Sequence, residues 1–196
     1  MAKVDASPTK DFFISMLTRD IPLDRALLDL IDNSVDAAIS YGSDDLSGKE
    51  IKLTLDESYF KIEDNCGGFS QEIASQYAFR FGRDKESQRS TPNSVGQFGV
   101  GMKRTLFKLG NKFKVSSIHQ SGAFELKVNV QDWLLNRSNG WEFELDEVDK
   151  PDDSVDGVFI EVHELFEHVK EQFLDNELMK GFKEEVSIAY FKRIKQ

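Results

Sequence analysis

The sequence predicts an α+β fold, a two-layer α/β sandwich whose mixed, mostly antiparallel sheet is covered by helices on one face. Three observations carry that expectation. Helices with interposed short strands come first and a run of consecutive strands follows, an order that suits one sheet packed under helices. The chain has 196 residues, 39% of them hydrophobic and 16 of them Phe, enough for one sizeable core and too little for two ordinary domains. No apolar run approaches the ~18 residues that a membrane span needs, so the apolar residues are available to that core.

Taken in order, a first helix is expected over residues 9–17 after Pro8, and a stronger one over 23–40, stopped by Gly42. Residues 51–55 and 59–62 alternate apolar with polar and read as short strands, with Asp56, Glu57 and Ser58 as their turn. Asn65, Cys66, Gly67 and Gly68 break the chain before a helical pattern over 71–79. Residues 80–97 are polar and punctuated by Gly82, Pro92 and Gly96, and a stretch that long without structure of its own reads as a lid. A helix over 100–109 ends at Gly110, and strands are expected over 113–119, 124–130, 141–145 and 158–162. A final helix over about 174–194 repeats Leu174, Leu178, Phe182, Val186 and Tyr190 at helical spacing.

The formal net charge is −10, a field that repels phosphate backbones, so direct nucleic-acid binding is not expected. One local anion site built from backbone amides remains compatible with it. The single cysteine, Cys66, rules out an intrachain disulfide framework and fits a reducing, cytoplasmic compartment. The N-terminal residues lack the apolar stretch of a signal peptide, and no membrane partner is expected.

Three segments carry chemistry. In the helix over 23–40, at about 100° per residue, Asp29, Asn33 and Asp36 fall within about 60° of one another, with Asp32 beside them. Leu27, Leu30, Ile31, Ser34, Val35 and Ala38 cover the other side. The polar line is either a solvated face or a ligand site. No Lys or Arg balances its acids at i+4, and Asn is a poor helix former that carries a cost there. In the second segment a strand delivers Asp64, and Gly67 and Gly68 follow, permitting either a tight turn or close approach of a flat ligand. In the third, Gly96, Gly99 and Gly101 precede a helix start, whose free amides and positive end can hold an anion, with Lys103 and Arg104 adding charge. The spacing is neither a P-loop, because Met102 separates Gly101 from Lys103, nor a dinucleotide fingerprint.

Together, in this order, the three segments resemble the Bergerat-fold (GHKL) ATPases: gyrase-type topoisomerases, heat-shock chaperones, mismatch-repair proteins and histidine kinases. The chain is similar to a bacterial branch of them in which the ATPase domain heads a longer chain. The resemblance implies one ATP-binding domain over 1–196, with an N-terminal arm over 1–20 and an ATP lid over 80–97. It implies that Asn33 ligates Mg²⁺ and that Asp29 stands where the family has its general base. Asp36 and Ala37 would line the nucleotide, Asp64 would accept from the adenine amino group, and Gly68 and Phe69 would border the ring. Gly99, Val100 and Gly101 would hold phosphates through their N–H groups, with Lys103 close by. ATP and Mg²⁺ are therefore the expected cofactors. ATP hydrolysis driving a conformational or homodimerisation switch for a downstream effector is the expected function. A protein kinase of the same fold and a non-hydrolysing, nucleotide-gated module are the alternatives. Three departures stand out: Asp29 replaces a Glu one methylene longer, Cys66 replaces a Gly, and Gly157-Val158 stands where Gly-Thr is common.

Overall fold

The computed structural model describes residues 3–4, 6–40, 46–81, 100–136 and 140–194. Its strands are Ile51–Leu55 (β1), Tyr59–Asp64 (β2), Gly110–His119 (β3), Gly122–Asn129 (β4), Leu145–Val148 (β5) and Gly157–Leu165 (β6). Its helices are Lys10–Thr18 (α1), Leu23–Ser40 (α2), Gln71–Ile73 (α3), Val100–Leu109 (α4), Val130–Leu135 (α5), Glu167–Leu174 (α6) and Asn176–Ile194 (α7). One sheet runs β1-β2-β6-β3-β4-β5, and each of its neighbouring pairs is antiparallel, so the mixed component of the expectation is absent among the described residues. The late strand β6 slots between β2 and β3, which brings Val158 beside the end of β2.

Strand alternation sorts the two faces. Phe60, Ile62, Phe113, Val115, Phe124, Leu126, Ile160 and Val162 are buried under the helices. The opposite face carries ion pairs such as Lys52–Glu63 and Lys127–Glu125 at 3.2 and 2.7 Å. Over the buried face lies α2, whose Leu27, Leu30 and Ile31 enter the core. Helix α4 packs against it, and the buried Thr105 hydroxyl ties the pair by hydrogen bonding to the Ala26 carbonyl at 2.8 Å. Phe81 lies 5.0 Å from Phe13 and 6.0 Å from Phe107 between ring centroids, fastening the end of the α3 segment to α1 and α4.

Helices α2 and α4 and strand β1 keep their expected bounds, and several others differ for local reasons. The helical pattern over 71–79 is one α turn followed by a π turn over Ala74–Ala78. The expected strand end at Val130 is instead the start of α5, because the Asn129 side chain caps the N–H groups of Gln131 and Asp132. Residues 141–144 are not a strand, and β5 begins at Leu145. The expected C-terminal helix is α7, started by the Asp175 carboxylate accepting from Glu177 and Leu178 N–H, and α6 precedes it as a helix the periodicity did not predict. Of the expected lid, residues 82–97 lie outside the described residues.

Candidate functional site

The first cluster forms where β2 ends. Asp64 is the last residue of β2, and its Oδ1 accepts from the Cys66 and Val158 N–H groups at 2.9 and 3.2 Å. The Ser34 hydroxyl on α2 donates to Oδ2 at 2.6 Å. Burial pushes the Asp64 carboxyl above the ordinary aspartate range, while the bonds from Ser34, Cys66 and Val158 and the charge of Lys49 pull the other way. Two glycines make this packing possible. A Cβ on Gly157 would stand 2.0 Å from the Asp64 carbonyl oxygen. Gly68, at φ +61°, would place a Cβ 2.1 Å from the Ile118 carbonyl oxygen.

Asn33, Ala37, Asp64, Met102 and Val158 line one narrow cleft of about 10 Å³, with Asn33 8% exposed. The Asn33 Nδ2 is buried without a hydrogen-bond partner, so a polar group faces this cleft unsatisfied. The cleft is closed down to about the space of one water, so a ligand enters only as its walls part. Asp36 lies half-buried on the same helix.

The second cluster forms one turn of α2 earlier. Arg104 Nη2 donates to Asp29 Oδ2 at 2.6 Å, and each side chain is 32% exposed. The Asp29 carboxylate lies against the first turn of α4: a Cβ on Gly101 would meet Oδ2 at 3.1 Å. Close packing on Asp29, rather than an unusual φ, is the reason for glycine there. Val100 opens α4 and is exposed.

Several expected site residues are placed elsewhere. Lys103 turns inward: it is buried, and its Nζ donates to the carbonyls of Ala78 and Arg80 at 2.8 and 2.6 Å. Phe69 packs in the core 5.3 Å from the Phe124 ring, and its N–H donates to the Ser117 hydroxyl. Cys66 is buried among Ala37, Ala38, Leu46 and Ile51, and burial pushes its thiol up to about 12. It faces a separate cavity of about 420 Å³ between α2, β1 and α7, which none of the expected site residues lines. Gly99 lies outside the described residues. Ser34 and Ser117 were not assigned site roles, and Arg104 was expected only to add charge to the anion site. The two serines had a signal, since each is a polar residue at a position whose periodicity is otherwise apolar.

Oxygen donors suited to Mg²⁺ are present in Asn33 and Asp29, and a hard cation that keeps waters and substrate phosphates needs few protein ligands. No group of three or more His, Cys, Asp or Glu among the described residues is placed to hold a metal ion. No helix among them is long and apolar enough to cross a membrane.

The family model for histidine kinase-, DNA gyrase B- and HSP90-like ATPases matches residues 21–154, and the chain belongs to that family. Asp29, Asn33, Ser34, Asp64 and Arg104 fall inside the match, Gly157 and Val158 lie just beyond it, and membership supports ATP binding. No curated protein matches the chain significantly.

Proposed function

We propose that this member of the family binds ATP with Mg²⁺ in the cleft between α2, β2 and α4 and hydrolyses it. Turnover then serves as a conformational or dimerisation switch for an effector. The observation that carries the reading is the Asp64 carboxylate. Three of its roughly four acceptor positions are filled by Ser34, Cys66 and Val158, and the remaining capacity belongs to the cleft. A fixed, buried acceptor at the wall of a flat cleft matches the exocyclic amine of adenine. Ala37 and Val158 flank that position, and Met102, unbranched and adaptable, gives way as the purine enters.

In the same cleft Asn33 would hold Mg²⁺, which would supply charge neutralisation for phosphoryl transfer. Asp29 takes a proton from the attacking water as its oxygen bonds to the γ-phosphorus. The bond from that phosphorus to the β-bridging oxygen breaks, and ADP leaves with the electron pair. The N–H groups at the start of α4 hold phosphate oxygens. Lys103 supports that helix from within through the carbonyls of Ala78 and Arg80.

Phosphate release by the purified protein tests the reading. Mg²⁺-dependent release is expected, and Asp29→Asn is expected to lower it about 10²-fold with ATP still bound, the usual scale for a lost base. ATP binding without release identifies a nucleotide-gated module, and labelled phosphate retained on protein identifies a kinase. The Asp29–Arg104 contact is what gives the module reading its support, because a carboxylate held by a guanidinium does not act on water until it is let go.

A further inference from the structure

Of the two cations that follow Gly101, Lys103 is committed to the interior and Arg104 faces the polar side of α2. Arg104 donates from Nη2 to Asp29 Oδ2 at 2.6 Å, while its Nε is buried with no hydrogen-bond partner. The partnering carboxylate rests on the first turn of α4, 3.1 Å from where a Gly101 Cβ would be. That turn is the positive end of a 10-residue helix, so the Asp29 carboxylate occupies the seat an incoming phosphate wants. The helices themselves are pinned, since the buried Thr105 hydroxyl of α4 donates to the Ala26 carbonyl of α2. What remains free to change is the partner of the guanidinium.

Resting on the ATP-binding reading above, we infer that Arg104 is a ligand of the terminal phosphate and that Asp29 holds its place until ATP arrives. The γ-phosphate, with two or more negative oxygens, outcompetes a single carboxylate for a forked guanidinium and also satisfies the orphaned Nε. The exchange has two consequences. Arg104 neutralises charge on the transferred group, and Asp29 becomes free to take the proton of the attacking water only when a γ-phosphate is present. ADP lacks that phosphate and leaves the pair in place.

The test is calorimetric titration of the whole chain with Mg²⁺-ATP and Mg²⁺-ADP, alongside turnover. Arg104→Gln is expected to weaken ATP roughly tenfold or more, the scale of a hydrogen bond to a charged group, with ADP affinity unchanged. Arg104→Lys is expected to recover part of the ATP preference. Asp29→Asn is expected to strengthen ATP and leave ADP alone, and the gain should vanish in the Asp29→Asn, Arg104→Gln double variant. A wild-type chain that binds ATP, with Arg104→Gln weakening ATP and ADP equally or neither, overturns this inference and leaves the ATP reading standing. A folded wild-type chain that binds no ATP overturns both. Circular dichroism on each variant separates loss of binding from loss of fold. If Arg104→Gln does not fold, the Asp29→Asn result decides: an unchanged ATP-to-ADP ratio overturns the exchange.

Discussion

The two side-chain clusters along α2 are built on different principles. At the β2 end, Asp64 is held by two backbone N–H groups, fixed by the chain at Cys66 and at the start of β6, and by a buried hydroxyl on α2. At the α4 end, Asp29 is held by one long side chain that is 32% exposed and can rotate away. Rigidity belongs where a base is recognised by shape and a single hydrogen bond. Exchangeable ion pairing belongs where charge arrives, reacts and departs. The difference teaches that one helix can present a fixed contact beside Ser34 and a replaceable one a turn away at Asp29, the division of labour the proposed function uses.

The strongest way to break the comparison is Asp64→Asn. The amide oxygen can keep the Cys66 and Val158 bonds and the amide nitrogen can donate to Ser34, so the melting temperature should hold. A donor would then face the adenine amine, and ATP affinity should fall about hundredfold, roughly 2.7 kcal/mol by the affinity relation. An unchanged affinity in calorimetry would remove Asp64 from the recognition role.

Next in size, Lys103→Met should separate support from contact. The variant leaves the Ala78 and Arg80 carbonyls without their donor, and chemical denaturation should show a loss of about 2 kcal/mol. ATP affinity of the folded fraction should change little. The reverse pattern would return Lys103 to the phosphates.

A smaller effect should follow Gly101→Ala. The new methyl would press on Asp29 Oδ2 at 3.1 Å, and phosphate release should fall severalfold. Stability should hold or rise, because Ala favours a helix over Gly by up to ~1 kcal/mol. Equal turnover would show that Asp29 shifts without consequence.

The smallest effect concerns two carboxyls with opposite pH signatures. Lys114 and Lys127 hold Glu125, on the open face of the sheet, at about 2 instead of 4.5. Its folded-state value is lowered, so its stabilising contribution is present above 4.5 and is lost as pH falls toward 2. Asp64 is raised above 3.8 by burial, so its linked contribution is present below 3.8 and is lost as pH rises through the raised value. Glu125→Gln should flatten the acid limb of a stability-against-pH curve and leave ATP affinity unchanged. An unaltered acid limb would show that the ion pairs with Lys114 and Lys127 contribute nothing measurable.

The α+β class and helices α2 and α4 were legible because periodicity and turn chemistry are local. The antiparallel placement of β6 between β2 and β3 was not, since strand order is a long-range property. Asp64 stood out by its place before two glycines, whereas its hydrogen-bond partner Ser34 looked like one more core-side residue of α2 until the sheet was in place beneath it. Lys103 misled for the opposite reason. Its sequence neighbours point to phosphate, but the helical turn that exposes Arg104 to Asp29 sends Lys103 inward to the carbonyls that follow α3. The break at Asn129 was missed because a single side-chain cap overrides an otherwise continuous pattern.

The central claim is that a buried carboxylate at the end of β2 reads adenine. Titrating the wild-type chain with Mg²⁺-ATP and Mg²⁺-GTP in parallel tests it most directly, because guanine presents a carbonyl oxygen where adenine presents an amine. ATP should bind at least about tenfold tighter than GTP, as expected for a buried acceptor left facing another acceptor. Equal affinity for the two nucleotides, or no binding of ATP by the folded chain, would contradict it.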